Sequence, residues 1–120
     1  MRLPNGSRAV VDLSKLRDYS LNSSHFWGRH KARVFRSVLG VTADNAHILR
    51  EAVLHAAVAG DAELAYLDEY GQRYVLDFEW KGLAGMAVIR SCWIVRKGED
   101  FPRLTTCYVR KEGRRGAKDV

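Results

Sequence analysis

The chain has 120 residues, of which 47% are hydrophobic, and this is enough to build the core of one domain. Its 20 Lys and Arg residues exceed its 14 Asp and Glu residues, and the formal charge of +6 favours a polyanionic partner. Its uninterrupted apolar stretches are only a few residues long, far below the roughly 20 residues that a transmembrane helix needs. We therefore expect a soluble, cytoplasmic protein that does not interact with membranes.

The sequence divides into a body and a short basic end. Residues 1–110 carry the apolar patterns of a single α+β domain. The segment KEGRRGAK, within residues 111–120, contains two glycines and is too polar to belong to a core. We expect residues 111–120 to form a flexible basic tail that is dispensable for folding. The tail is either simply solvated or docks electrostatically on a polyanion.

The first half of the chain has helical periodicity. SKLRDYSL predicts one or two helical turns, and a loop-forming segment then leads to a predicted helix from Gly28 to Leu39. Gly40 is a suitable C-terminal cap for this helix. Thr42 opens a second helix, because its hydroxyl can accept from an otherwise unpaired backbone N–H, and Gly60 ends it.

Beyond the second helix the apolar period changes from helical to two, which indicates a sheet. Strands are predicted at Tyr74–Lys81, Met86–Lys97 and Arg103–Arg110, with a weaker one at Leu64–Asp68. Glycine-containing segments separate the last three strands and predict short turns. The expected fold class is therefore α+β, with N-terminal helices packed on one face of a three- to four-stranded antiparallel sheet.

The two cysteines, Cys92 and Cys107, lie in apolar strand-like segments, and neither is near a second Cys or a His at metal-ligand spacing. We expect both to be reduced, buried and chemically quiet, with a cross-strand disulfide as the alternative. The sequence contains no HExxH motif and no Gly-rich phosphate loop, and its carboxylates do not cluster near its histidines. No metal and no other cofactor is predicted.

Side chains suited to catalysis concentrate in GRHKARVF (Gly28 to Phe35) and LTTCYV (Leu104 to Val109). Cleaving RNA without a metal requires a base for the 2′-OH, an acid for the leaving 5′-oxygen and cations for the crowded phosphorane. Imidazole can serve either proton role, Lys and Arg supply charge, and Thr or Tyr hydroxyls can hold a phosphate oxygen. The candidates for these roles are His25, His30, Lys31, Arg29, Arg33, Thr105, Thr106 and Tyr108.

Geometry and structural alternatives both bear on these candidates. Arg29 and Arg33 are four residues apart and share a helical face, so we expect them to bind substrate together with Thr105. Thr106 and Tyr108 point to one face of the last strand. Two structural alternatives stay open. In one, a backbone carbonyl satisfies His30 where helix meets sheet; in the other, Thr106 and Tyr108 are present because Thr and Tyr are good strand formers.

These segments resemble a small bacterial domain family with a loop His, a G-x-H-K-A-x-V-F helix start, a Y-G-x-x-Y strand and a closing P-R-L-x-T-C-Y. The corresponding parts of this chain are His25, GRHKARVF, YGQRY (Tyr70 to Tyr74) and PRLTTCY (Pro102 to Tyr108), so the resemblance covers nearly all of residues 12 to 109. That family in turn resembles the metal-independent ribonuclease toxins of the barnase/EndoU/colicin/RelE fold. In those toxins, N-terminal helices precede a four-stranded antiparallel sheet.

The resemblance implies that His30 and Lys31 occupy the helix position of the active site, and Thr106 and Tyr108 the strand position. It also implies a metal-independent endoribonuclease, the toxin of a toxin–antitoxin pair, that cleaves tRNA or another structured RNA through 2′-OH attack. The partner would be a small antitoxin or immunity protein. A non-catalytic RNA-binding or protein-interaction module is the alternative, and a structural accessory domain with no ligand is a third hypothesis.

Overall fold

The structure is a computed structural model that describes residues 1–22 and 29–110, except for the side chains of Tyr19 and Ser20. The loop residue His25 and the predicted tail over residues 111–120 lie outside the described residues. Within the described ranges, no helix is long and apolar enough to cross a membrane.

In the described part of the chain, three helices precede four strands. Helix α1 spans Leu13–Lys15 and continues as a wider, π-type turn over Leu16–Ser20, while helix α2 spans Arg29–Val34 and continues in the same way over Phe35–Leu39. A 3-10 turn, Ala43–Asn45, leads into helix α3, Ala46–Ala59. The strands are β1 (Ala62–Asp68), β2 (Gly71–Lys81), β3 (Met86–Arg96) and β4 (Arg103–Val109).

Local structure confirms three of the predicted helix boundaries, while the fourth, the predicted helix start at Gly28, lies outside the described residues. Gly40 ends the α2 segment in the left-handed region, at φ 71°, where a residue without Cβ is favoured. Thr42 caps the next helical segment, and the Asn45 side chain accepts the backbone N–H of Thr42 at 2.8 Å, which completes a capping box. The N–H of Gly60 donates to the carbonyl of Ala56 at 2.7 Å, where α3 ends.

The sheet has the strand order β1-β2-β3-β4, and each neighbouring pair is antiparallel. Strand β2 begins earlier than the alternation predicted, because the Asp68 carboxylate accepts the backbone N–H groups of Tyr70 (2.9 Å) and Gly71 (3.2 Å) and fixes a tight turn after β1. At the other edge, Val10 forms a parallel bridge with Arg103 and joins the N-terminal segment to β4. The expected α+β fold, with helices on an antiparallel sheet of four strands, is confirmed.

The core lies between the helices and one face of the sheet. Alternate strand residues supply Leu76, Ile89, Trp93 and Cys107, and the helices supply Phe35, Leu39, Leu49 and Val53; all eight are fully buried. One polar side chain, Ser91, is buried with them. Its hydroxyl donates to the carbonyl of Leu76 at 2.7 Å and accepts the indole N–H of Trp93 at 2.9 Å, so the buried polar atoms are satisfied.

The two cysteines occupy different environments, and the expectation that both are buried is wrong for Cys92. Cys107 faces the helices with no exposed surface, and burial raises the pKa of its thiol to about 12. Cys92 is only partly buried, because the pleat directs it to the opposite face, between Val75 and Thr106 on the neighbouring strands. Both are free thiols, which agrees with the expected reduced state.

We expect a thiol reagent to modify one cysteine of the native protein and both cysteines in denaturant. Burial raises the pKa of both thiols, but Cys92 is partly exposed to the reagent, whereas Cys107 has no exposed surface and its pKa is raised to about 12. Mass spectrometry of the labelled protein checks this, and Cys92→Ser should abolish native labelling. Native labelling of Cys107 as fast as that of Cys92 would contradict the packing of β4.

Candidate functional site

The face of the sheet that points away from the helices, here called the outer face, carries a polar group of residues. The register aligns Asp77 of β2, Arg90 of β3 and Tyr108 of β4 in one row across the strands. The next row contains Thr106. Period-two alternation places all of these side chains on the same side of the sheet.

Helix α2 adds a charge to this face. The helix contacts β4, and its Lys31 ammonium lies 4.8 Å from the centre of the Tyr108 ring, within the range of a cation–π interaction. Six residues thus form what we call the outer-face cluster: Lys31, Asp77, Arg90, Thr106, Tyr108 and Arg110. Since it contains three cations and one carboxylate, its formal charge is positive.

Asp77 organises the cations of the cluster. Arg90 donates to its two carboxylate oxygens in a bidentate pair, from Nε at 2.9 Å and from a terminal nitrogen at 3.0 Å. Arg110 donates to the same carboxylate. Tyr108 is the β4 residue opposite Arg90, so Arg90 stands between the carboxylate of Asp77 and the phenol of Tyr108 in this row.

These contacts shift the pKa values of both partners in the central pair. Burial by itself would raise the pKa of Asp77, but the hydrogen bonds and charges of Arg90 and Arg110 outweigh it and hold the pKa below its usual value. The hydrogen bonds that Arg90 donates to Asp77 are the largest cause of the raised pKa of Arg90. Asp77 is therefore ionised, and Arg90 charged, throughout the physiological range.

We expect Asp77→Asn to lower the free energy of unfolding at neutral pH and to have little effect in acid. A depressed pKa means that the carboxylate stabilises the fold fully above about pH 4, its unfolded range, and loses this contribution as the pH falls through the folded pKa. Urea unfolding from pH 2 to 7 should show a gap in unfolding free energy between wild type and Asp77→Asn that closes in acid. Glu79→Gln, on the same strand and face but exposed, is the matched control. A gap that stays constant with pH would contradict the role of Asp77.

Three of the predicted catalytic residues come together on this face. Lys31, Thr106 and Tyr108 all belong to the outer-face cluster. Thr105 does not, because it is the extra residue of a bulge in β4 opposite Cys92 and Trp93, and its hydroxyl donates to the Cys92 carbonyl at 3.0 Å. The substrate-binding role predicted for Thr105 therefore competes with a structural hydrogen bond.

The remaining predicted residues lie on α2 or outside the described residues. His30 is in the first turn of α2, next to Lys31, and is exposed. Arg29 and Arg33 are also exposed, as their shared helical face predicted. His25 cannot be placed, since it precedes the described part of this segment.

Sequence reasoning missed Asp77, Arg90 and Arg110. Arg90 offered a signal, because it is the one charged residue inside the apolar run MAVIRSCWIV of β3. A charge in the middle of a strand that is otherwise apolar indicates a partner on the adjacent strands. The register of the strands decides which residues are the partners of Arg90, and the sequence alone does not fix this register.

Comparison with known proteins places the chain in a family. A domain of unknown function, DUF6883, matches residues 2–111. The chain belongs to this family. The matched range contains every residue of the outer-face cluster of this DUF6883 domain. No curated protein matches the chain at a significant level.

The DUF6883 domain also has a structural relative. A chain of the contact-dependent growth inhibition toxin–immunity protein complex from Klebsiella pneumoniae 342 is similar to it, with a TM-score of 0.65 and 24% sequence identity. The similarity covers 84% of this chain and 99% of that chain. At this identity it shows a shared fold, and the fold is the α+β arrangement described above.

Proposed function

We propose that this domain is the toxin of a toxin–immunity pair and that it cleaves RNA without a metal ion. The outer-face cluster is the observation that supports this most. It combines the Lys31 ammonium and the Arg90 guanidinium with the hydroxyl groups of Thr106 and Tyr108 on the outer face of the sheet. Fixed cations beside hydroxyl donors are what stabilises a phosphodiester as negative charge builds up on its oxygens.

In the proposed reaction, the 2′-OH of one nucleotide attacks the adjacent phosphorus and the 5′-oxygen of the next nucleotide leaves. The products are a 2′,3′-cyclic phosphate and a free 5′-OH. We assign the proton transfers to His30 and His25, because imidazole titrates near neutral pH. Lys31 and Arg90 stabilise the non-bridging oxygens, and Thr106 and Tyr108 position the phosphate. DNA lacks the internal nucleophile and would not be cleaved.

Asp77 has a supporting role in this proposal. Its bidentate pair with Arg90 fixes the plane of the guanidinium and so holds this positive charge in one orientation in the row that also contains Tyr108. Pre-organised charge is more effective than charge that must reorient during the reaction. The exposed Arg29 and Arg33 on α2 extend the positive surface and would bind flanking phosphates.

The toxin assignment draws on two further observations. The structural relative belongs to a complex of a contact-dependent growth inhibition toxin with an immunity protein, and the similarity covers 99% of that chain. The charge of +6 suits a nucleic-acid substrate. We propose that the substrate is tRNA or another structured RNA in the cytoplasm, and that a small immunity protein neutralises the domain.

A non-catalytic RNA-binding module is the second candidate. The cations of the cluster are held by protein groups, Lys31 by the Tyr108 ring and Arg90 by Asp77, and such a rigid positive face binds phosphate whether or not chemistry follows. The two functions differ in one observable, the appearance of cleaved RNA.

The test is to incubate the purified protein with total RNA in EDTA and to sequence the fragment ends. Fragments that end in 2′,3′-cyclic phosphate, with a DNA oligonucleotide of matching sequence left intact, would support the proposal. Salt-dependent RNA binding without fragments would favour the binding module. If the protein neither cleaves nor binds RNA at low salt, both candidate functions are wrong.

We expect His30→Ala to slow RNA cleavage about 10²-fold, which is typical of losing a general acid or base. The exposure of His30 implies that the variant stays folded. His47→Ala is the matched control, because His47 is also an exposed helical histidine but lies on α3, and it should keep full activity. A His30→Ala protein with lower thermal stability and unchanged activity per folded molecule would make His30 structural.

A further inference from the structure

Strand β1 forms one edge of the sheet and exposes an unusual number of large apolar side chains. Leu64 is 63% exposed, Tyr66 59% and Leu67 70%, and Tyr70 in the following turn is 63% exposed. Single exposed apolar residues are ordinary, but four within seven positions mark an apolar strand edge. Leu64 and Leu67 lie on the helix-facing side of this edge, and Tyr66 lies on the outer face, where the Arg73 guanidinium is 5.8 Å from its ring centre. We call this surface, together with Glu63 and Glu69, the β1 edge.

The charge of the β1 edge is opposite to that of the rest of the protein. The segment from Asp61 to Tyr70 holds four of the 14 acidic residues and none of the 20 basic ones. Asp68 pairs with Arg73 at 3.1 Å, whereas Glu63 and Glu69 are exposed. RNA phosphates would be repelled here, so the β1 edge is unsuited to the substrate and suited to a basic protein surface.

The β1 edge and the outer-face cluster are also separated in space. The strand order places β1 at one edge of the sheet and β4, which carries Thr106 and Tyr108, at the other. Helix α2, which carries Lys31, contacts β4. A protein bound at β1 therefore contacts a surface that is distinct from the proposed catalytic residues.

An open strand edge favours pairing with another strand, and natural sheets limit this by bulges and by charged side chains. The β1 edge has both, since its pairing with β2 is irregular between Leu64 and Leu67 and two carboxylates flank the patch. Two copies of this chain would bring like charges together at such a contact. The retained apolar side chains thus fit a different partner better than a second copy.

We propose that the β1 edge is the docking surface for the immunity protein, and that this partner supplies an extended segment in which apolar residues are flanked by Lys or Arg. The segment adds a strand beside β1, packs its apolar side chains on Leu64, Tyr66 and Leu67, and pairs its cations with Glu63 and Glu69. This inference rests on the proposed function, because it takes the immunity protein as the partner.

The test uses the protein encoded by the gene adjacent to the gene of this chain, which we take as the immunity protein. Calorimetry measures its binding to the wild-type chain and to variants. Leu64→Lys combined with Leu67→Lys should weaken binding at least about 100-fold, because two central apolar anchors are lost and cations face the partner's cations. Glu63→Lys combined with Glu69→Lys should weaken it about 10-fold at low salt and flatten its salt dependence. Leu83→Lys is the matched control, since Leu83 is a Leu of similar exposure, 68%, in the β2–β3 turn, and its binding should stay within about twofold of wild type.

Two further measurements make the result decisive. Backbone amides within residues 63–68 should gain protection from hydrogen exchange when the neighbour-encoded protein is added. Sedimentation of the chain alone should show a monomer. Three outcomes would each overturn the inference. The wild-type chain could fail to bind the neighbour-encoded protein, or both double variants could bind it within about twofold of wild type. The chain could also form a dimer that becomes monomeric in the Leu64→Lys, Leu67→Lys variant.

RNA cleavage, measured on the same proteins, separates this inference from the proposed function. All the β1 variants should cleave RNA like wild type in the absence of the partner, which also shows that they are folded. A wild-type chain that binds the neighbour-encoded protein through β1 but cleaves no RNA would refute the ribonuclease activity and leave the docking surface standing.

Discussion

Replacing Lys31 with Met is expected to slow RNA cleavage by about 10²- to 10³-fold, the range seen when a group that stabilises developing charge is removed. Lys31 places its ammonium 4.8 Å from the Tyr108 ring centre, beside the guanidinium that Asp77 orients. Methionine keeps the length and apolar character of the side chain and removes only the charge. The loss should therefore appear in the rate of the chemical step, measured by single-turnover cleavage of a short RNA.

The matched control for this prediction is Lys97→Met. Lys97 is exposed in the turn that follows β3. It lies about 20 Å from Arg90, given the rise of roughly 3.3 Å per residue along a strand. This variant has the same change in net charge and should cleave RNA within about twofold of wild type. An equal loss in both variants would mean that Lys31 contributes only to general attraction of RNA, and Lys31 would no longer count as a catalytic residue.

The second large effect is expected in the core, where Trp93→Ala should lower the free energy of unfolding by about 3–5 kcal/mol. Trp93 has no exposed surface and is the largest of the fully buried side chains in the described part of the chain. Its removal leaves a cavity under the helices. It also deprives the buried Ser91 hydroxyl of the N–H that donates to it at 2.9 Å. Urea unfolding of the variant measures the loss.

Two comparisons isolate the cause of that loss. Trp93→Phe keeps much of the volume and removes the N–H, so it should cost about 1–3 kcal/mol. Tyr70→Ala removes an aromatic ring that is 63% exposed and should change the free energy of unfolding by no more than about 0.5 kcal/mol. A loss below about 1.5 kcal/mol for Trp93→Ala would show that the region between helices and sheet is loosely packed.

The sequence predicts the architecture well because its signals are local. The change of period near residue 74, the left-handed glycine at Gly40 and the cap at Thr42 each depend on neighbouring residues only. The weak strand at Leu64–Asp68 was also predicted and is β1. The π-type turns at the ends of α1 and α2 were not predicted, since the apolar spacing over Phe35–Leu39 resembles that of an ordinary helix.

The composition of the candidate site was predicted less completely, because it depends on register. Lys31 and Tyr108 were identified by residue type, but Asp77 and Arg90 become neighbours only when β2 and β3 align. The phase of β3 that buries Trp93 also turns Cys92 outward, so the expectation of a buried Cys92 was wrong. The bulge in β4 has a comparable effect on Thr105, whose hydroxyl is used within the sheet.

The bridge between Val10 and Arg103 has a consequence for the order of folding. The four strands form successive hairpins, which are local contacts that close rapidly. The bridge instead joins residues near the two ends of the domain, so the loop that it closes is among the longest and is costly in entropy to close. We infer that it forms late, after β4 has been added to the sheet. Thr106 and Tyr108 lie on that same strand. A chain whose synthesis stops before β4 therefore lacks the Val10–Arg103 bridge and also two of the proposed active-site residues. Under the proposed function, an incomplete copy would therefore lack ribonuclease activity.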